Sequence, residues 1–311
     1  LMATMLSGAA VMDGAMLVIA ADELCPQPQT REHLAAIEIV GVKNLVIVQN
    51  KIDLVDERRA FESYQEIVNF VKGSIAENAS IIPVSAQHGV NIDALIQALE
   101  ERVPTPKRNP DKPPRMHVVR SFDVNKPGTR AEELTGGVIG GTILQGVFKI
   151  DDEIEIRPGI RIEKQGRAVY EPLFTEIVSL HAGGRTVKEA QPGGLVGVGT
   201  LLDPSLTKAD GLTGNIVGKP EMLPPTRAEL TVETYLFPRA VGTKELMEVA
   251  RVQMGEALLL DVGTSITAGT VTSIKGENAT LKLSRPISAE EGARAALSRK
   301  IAGRWRLIGY G

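Results

Sequence analysis

Five prolines fall within the twelve residues that run from Val103-Pro104-Thr105-Pro106 to Pro113-Pro114. Each proline fixes its own φ and lacks an N–H, so neither a helix nor a central strand continues through such a stretch. It reads as a stiff, extended linker and as the clearest domain boundary in the chain. The two sides differ in kind. Most of the 31 glycines in the 311 residues lie after Pro127, which predicts a helix-bearing first third and a turn-rich, all-β remainder.

Before the linker, short apolar runs alternate with helical patterns. Ala15–Ala20 and Leu45–Val48 are continuous apolar runs, the pattern of strands covered on both faces, and Ile81–Val84 is a third strand. Between them lie a helical stretch after Pro28-Gln29-Thr30 that stops at Gly41, and a helix Phe61–Val71 whose Phe61, Tyr64, Ile67, Val68 and Val71 share one face. Asn91–Val103 is a third helix. This order predicts a parallel sheet with right-handed crossovers and a ligand beyond the carboxyl ends of its strands. After the linker, strands alternate with Gly and Pro turns: His117–Phe122, Gly137–Ile150, Glu153–Arg157, Leu173–Leu180 and Leu195–Thr200. A second break falls at Leu223-Pro224-Pro225. Beyond it lie Glu229–Leu236, Ala257–Val262, Thr270–Ile274, Ala279–Leu283 and Ala293–Leu297. Two compact β-barrels are the natural closure for these strands.

Composition narrows the function classes. Hydrophobic residues at 43% and charged residues at 23% exclude general disorder. A net charge of −3 excludes coating nucleic acid by charge alone but leaves room for a local basic face. Aromatics at 4% are too sparse for a stacking platform. Ala9–Ala21 is the best apolar run. It is short of the ~18–20 residues of a membrane span, contains Asp13 and lacks a basic leader, so no signal peptide is expected either. The single Cys25 fits a reducing cytoplasm.

Asn50-Lys51-Ile52-Asp53 follows the strand Leu45–Val48 directly, where an open α/β sheet presents its ligand loop. The Asp53 carboxylate suits guanine, accepting its ring N–H and its exocyclic amine. Adenine offers neither donor there and would leave a buried carboxylate unpaired, at a cost of a few kcal/mol. Lys51 can lay its stem along the purine face, and Asn50 can pin the loop. Ser85-Ala86-Gln87 follows the next strand, so the crossover places both loops on one sheet edge. The Ala86 N–H can then donate to guanine O6 while Ser85 braces the first loop. The plainer alternative makes Ser85 a helix cap and Asp53 a turn cap.

With these motifs the chain resembles the GTP-binding translation-factor family and, within it, the gamma-subunit family of archaeal and eukaryotic translation initiation factor 2. The resemblance covers essentially the whole chain. It is carried by Leu1 to Leu6, Cys25-Pro26-Gln27-Pro28-Gln29-Thr30, Asn50 to Asp53, Arg120 to Gly128, Pro192 to Gly199 and Gly303 to Gly309. The short loops point to the archaeal version. The implied fold is a partial α/β P-loop-type GTPase domain at 1–108, a proline-rich linker at 109–113, and two all-β barrel domains, II at 114–222 and III at 226–311. The implied function is to bind initiator methionyl-tRNA and deliver it to the small ribosomal subunit, hydrolysing GTP on release, with alpha and beta subunits as partners. A tRNA-carrying elongation-factor type and a non-hydrolysing scaffold are the rival readings.

No Gly-x-x-x-x-Gly-Lys-Ser/Thr loop occurs, so the phosphate cradle and the magnesium hydroxyl are not in this sequence. The chain opens at Leu1, partway into an element, and reads as N-terminally incomplete. It is expected to hold the base half of a GTP/GDP site, with catalytic residues and Mg2+ ligands outside this sequence. Alone it is expected to be inactive, whereas the resemblance implies that the complete protein is a GTPase.

The family grips the acceptor end of tRNA between its nucleotide and second domains. Arg157, Arg161, Lys164 and Arg167 set four positive charges against Glu163 in an eleven-residue window. They read as phosphate contacts or, equally, as a solvated basic loop. Phe122 reads as lining a pocket for the methionyl group or terminal adenine, or as a core phenylalanine. His33, His88, His117 and His181 lack metal-ligand spacing, and His88 reads as a solvated loop residue. Trp305, between Arg304 and Arg306, reads as a core residue on an alternating strand.

Overall fold

The computed structural model describes residues 2–238 and 248–311. Leu1, the side chains at positions 2–4 and the side chain of Arg167 fall outside the described residues. The described residues form two compact units. One is drawn from Leu1–Pro106, Tyr235–Arg251 and Ala296–Tyr310, and the other from Lys107–Thr234, Val252–Ala295 and Gly311. No helix among the described residues is long and apolar enough to cross a membrane.

In the first unit, α1 (Met2–Ala9), β1 (Ala15–Ala20), α2 (Pro28–Val40), β2 (Leu45–Asn50), α3 (Glu57–Val71), β3 (Ser80–Pro83) and α4 (Ile92–Arg102) alternate in order. The sheet is parallel, β1-β2-β3, with Ala15 opposite Leu45 and Val46 opposite Ser80. Pro28 opens α2, and Gly41 ends it at φ 82, a left-handed turn that glycine adopts without strain. Asp56 caps α3 by accepting the Arg59 N–H at 2.8 Å. Leu17, Ile19, Leu34, Ile37, Leu45, Ile47, Ile67 and Val71 form the core between sheet and helices.

Two expectations change here. β2 is buried along its whole apolar run, but β1 is an edge strand whose Met16 and Val18 are about half exposed. In α3, only Ile67 and Val71 of the five expected core residues are buried, together with Ser63. Phe61 is 65% exposed, and Tyr64 and Val68 lie with it on a second stripe turned roughly 100° away from Ile67.

The second unit opens with a closed barrel. Its strands are β4 (Arg115–Phe122), β5 (Val138–Gln145), β6 (Phe148–Lys149), β7 (Glu153–Lys164), β8 (Arg167–Ala182), β9 (Arg185–Val187), β10 (Glu189–Ala190), β11 (Leu195–Thr200) and β12 (Ile216–Gly218). The order β11-β5-β4-β12-β7-β8 is closed by a β11–β8 ladder, so no edge remains in that ring. Met116, Val118, Ile139, Ile143, Ile154, Ile156, Ile177 and Val198 fill it. At Gly159, φ is 85 and a Cβ would lie 1.7 Å from the Glu171 carbonyl oxygen, so only glycine fits this β7–β8 bulge.

The later strands are β13 (Thr226–Glu233), β14 (Tyr235–Leu236), β15 (Ala257–Val262), β16 (Ser265–Lys275), β17 (Asn278–Ser288), β18 (Ala295–Ile301) and β19 (Arg304–Tyr310). All their ladders are antiparallel. In the second unit β13-β17-β16-β15 is one such ladder, and in the first unit β18-β19-β14 is another. In the first unit Leu6, Ala36 and Ile39 pack on Ala296 and Leu307. Arg306 reaches Glu32 at 3.0 Å, and Trp305 is half-buried rather than a core residue.

Candidate functional site

The carboxyl ends of β2 and β3 bring the two sequence motifs together. β2 ends at Asn50. Lys51 then turns in the left-handed region (φ 64, ψ 33), and Ile52–Leu54 form a single 3-10 turn that redirects the chain. The Ile52 N–H donates to the Val84 carbonyl at 3.3 Å, and the Val84 N–H to the Gln49 carbonyl at 2.8 Å. The two loops are therefore stitched by backbone before any side chain is considered.

Side chains add a second layer. Asn50 Oδ1 accepts the Ala86 N–H at 3.1 Å. Lys51 Nζ lies 3.5 Å from Asp22 Oδ1, just past β1. Ser85, 1% exposed, pairs with Val90 through both backbone bonds and so closes a tight loop over Ala86, Gln87 and His88, which are exposed. The Ser85 hydroxyl accepts the His88 N–H at 3.2 Å. A hydrogen bond from Ser85, then one from its own backbone and the proximity of His88, hold the Asp53 carboxyl below the usual carboxylate range. His88 Nε2 is 3.7 Å from Asp53 Oδ2.

Asn50, Lys51, Ile52, Asp53, Ser85, Ala86 and Gln87 thus share one sheet end. Of these, Asn50 and Lys51 border a cleft of about 260 Å³, together with Ala20, Glu23 and His33; Asp53, Ser85, Ala86 and Gln87 do not line it. Sequence reasoning did not single out Asp22, which follows the neighbouring strand at the same edge and lies beside Lys51; His88, read as a solvated loop residue, is 63% exposed and lies near Asp53. Among the described residues no three His, Cys, Asp or Glu side chains converge on a metal position. Cys25 is a poor nucleophile, its thiol pushed up to about 11 by burial and by Glu66.

Of the second set of expected residues, Arg157, Arg161 and Lys164 lie on β7, and Lys164 is opposite Arg167 at the β7–β8 turn. Phe122, at the end of β4, is 41% exposed and is not a core residue. Arg157 turns onto the buried Glu155, and its Nη1 lies 3.4 Å from the Leu223 carbonyl oxygen and 3.5 Å from that of Pro224. Lys164 is ion-paired with Glu171, and Arg161 is exposed on β7.

Comparison with known proteins gives two family profiles. Residues 2–105 match the Elongation factor Tu GTP binding domain, and residues 228–311 match Initiation factor eIF2 gamma, C terminal. Translation initiation factor 2 subunit gamma of Methanocaldococcus jannaschii is 59% identical over 311 residues, all of this chain and 76% of that protein. The protein of the same name from Pyrococcus horikoshii is 60% identical with the same coverage, and that of Archaeoglobus fulgidus 58% identical over 73% of its length. Among solved structures, translation elongation factor SelB of Methanococcus maripaludis, in complex with the GTP analogue GppNHp, superposes with a TM-score of 0.76 at 20% identity. That match covers 99% of this chain and 66% of SelB. A bacterial selenocysteine-specific elongation factor gives 0.74 at 22% identity, over 97% of this chain and 46% of its own. At such identities these structures establish the fold alone, an α/β domain followed by β-barrels.

Proposed function

The chain belongs to the gamma-subunit family of translation initiation factor 2, a family of translation GTPases, and on that premise we propose that Asn50–Asp53 and Ser85–Gln87 hold the guanine of GTP or GDP. The observation that carries this reading is the meeting of the two loops: the Asn50 side-chain oxygen accepts the Ala86 N–H at 3.1 Å on the sheet end that also carries Asp53. An ionised carboxylate only accepts, so it selects a purine edge with two adjacent N–H donors. Guanine offers its N1–H and its 2-amine, whereas adenine offers neither donor at those places. The Ala86 N–H, shared with Asn50 Oδ1, faces O6. Lys51, its ammonium drawn to Asp22, lays its stem along the base.

On the same reading, residues 1–108 are the nucleotide domain and 114–222 and 226–311 the two barrels. The full-length protein binds initiator methionyl-tRNA, carries it to the small ribosomal subunit together with alpha and beta subunits in the cytoplasm, and hydrolyses GTP on release. Phe122, Arg161 and Lys164 are the exposed candidates for the tRNA end. Arg157 serves better as a brace on Glu155. Filter binding of the full-length protein to initiator and elongator methionyl-tRNA, with GTP and with GDP, tests the reading. Initiator preference that requires GTP is expected; equal affinity for both tRNAs overturns the initiation role.

A further inference from the structure

We propose that Arg59 and Glu66 of α3 are positioning residues of the guanine site: they fix the segment Asp22–Cys25, so that Asp22 holds the Lys51 ammonium and with it the stem that covers the base. The inference rests on the reading of Asn50–Asp53 as the guanine loop. Arg59 and Glu66 stand seven residues apart, close to two full helical turns, so both project from one side of α3. They meet as a two-pronged pair, Nη1 with Oε1 at 2.6 Å and Nη2 with Oε2 at 3.2 Å. Their side chains are only 23% and 25% exposed.

The pair does not close on itself. Glu66 Oε2 also accepts the Cys25 N–H at 2.8 Å, and Arg59 Nη2 also donates to the Glu23 carbonyl at 2.8 Å. Arg59 and then the Cys25 N–H hold the Glu66 carboxyl below the usual carboxylate range. Apolar burial does little for this segment. Asp22, Glu23 and Leu24 are exposed, and only the half-buried Cys25 packs on the core. On the strand side the Ala21 N–H donates to the Asn50 carbonyl at 2.8 Å. On the far side, among the described residues, the polar ties to another element are those to Arg59 and Glu66.

Asp22 sits between these two anchorages. Its Oδ1 lies 3.5 Å from Lys51 Nζ, with the two side chains 33% and 44% exposed. An exposed pair is weak because two mobile side chains must be ordered together. Fixing the backbone on both sides of Asp22 removes part of that cost. The Lys51 backbone is itself set, at φ 64, so a fixed Asp22 decides where its ammonium goes and which way its stem lies. The same helix serves both loops. α3 opens at Glu57, shortly after Asp53, and its Ala60 carbonyl accepts Gln49 Nε2 at 2.7 Å at the end of β2.

The test follows release of fluorescent N-methylanthraniloyl-GDP from the full-length protein when excess GDP is added. Glu66→Ala is expected to release the nucleotide about threefold faster than the wild type, the size of one exposed ion pair. Glu66→Gln, which keeps an acceptor for the Cys25 N–H and is the milder change, is expected to speed release less. Each substitution is then repeated on Lys51→Met, which keeps the stem but has no ammonium for Asp22 to hold. There neither Glu66 change is expected to speed release further, whereas general damage to the domain would act on both backgrounds alike. Unchanged release in both Glu66 variants, or an effect that persists on Lys51→Met, overturns the proposal. Asp53→Asn separates the two readings. Faster release in that variant with no Lys51-dependent Glu66 effect sinks this inference alone, whereas unchanged release sinks the guanine assignment and the inference with it.

Discussion

The side-chain oxygen of Asn50 accepts the backbone N–H of Ala86 at 3.1 Å, across 36 positions of sequence. This bond joins the loops that follow two neighbouring parallel strands, so the expected O6 donor and the Asp53 turn move as one rigid sheet end. Asn50→Ala is expected to weaken GDP binding about tenfold, the equivalent of about 1.4 kcal/mol for one well-placed hydrogen bond. Because Ala86 is exposed, its freed N–H reaches water and the melting temperature changes little. Calorimetry for GDP beside a thermal melt checks both halves; undiminished affinity removes Asn50 from the site.

Asp53→Asn presents an amide where two N–H donors would arrive. Affinity for GTP is expected to fall by about a hundredfold or more, and that for xanthosine triphosphate to rise, because the amide can pair with the base carbonyl. Competition binding with both nucleotides reads the switch directly. Retention of guanine preference contradicts the role given to this carboxylate.

Glu155 is 1% exposed, pairs with Arg157 and accepts the Glu221 N–H at 2.9 Å. Glu155→Ala strands a half-buried guanidinium and a backbone donor together, a loss of about 2–4 kcal/mol. Glu155→Gln keeps an acceptor for the N–H and should recover part of that loss. Urea unfolding of the three proteins measures the order wild type, Gln, Ala; equal midpoints refute the brace.

Asp261 is 5% exposed, has neither carboxyl oxygen hydrogen-bonded among the described residues, and is pushed up to about 7 by burial. Its folded form holds the proton up to higher pH than its unfolded form, so stability from this group is lost as pH rises from about 4 through about 7. His117, held at about 4 chiefly by burial, slopes the other way: its contribution is full above the ordinary histidine range and is lost as pH falls toward 4. Asp261→Asn is therefore expected to be more stable than the wild type at pH near 8, by about 2–4 kcal/mol, with the difference vanishing toward about pH 4. Melts across that range decide it, and a constant difference at all pH values counts against the buried carboxyl.

Much of the first unit was legible because strand and turn signals are local. The apolar runs of β1 and β2 and the Gly41 stop appear where the residues place them. The α3 stripe was not. Phe61, Tyr64 and Val68 lie near enough in helical phase to Ile67 and Val71 to pass as one face. Only the angle at which the helix lies on the sheet divides that broad arc into covered and exposed halves. Arg157 is a similar case. As sequence it is one of four clustered cations, and only the barrel shows Glu155 taking its charge.

By itself the sequence determined the alternation of strands and helices from β1 to α4, the proline-enforced break between α/β and β regions, and the loop tetrad and triplet that follow β2 and β3, because period, turn chemistry and crossover hand act over a few residues at a time. The tertiary structure alone decided which polar groups find partners: Ala86 with Asn50, Lys51 with Asp22, and Asp53 with Ser85 and His88. Those partners stand some thirty positions apart in the chain. Their distances of 3 to 4 Å follow from how strands pair and loops close, which no local pattern encodes.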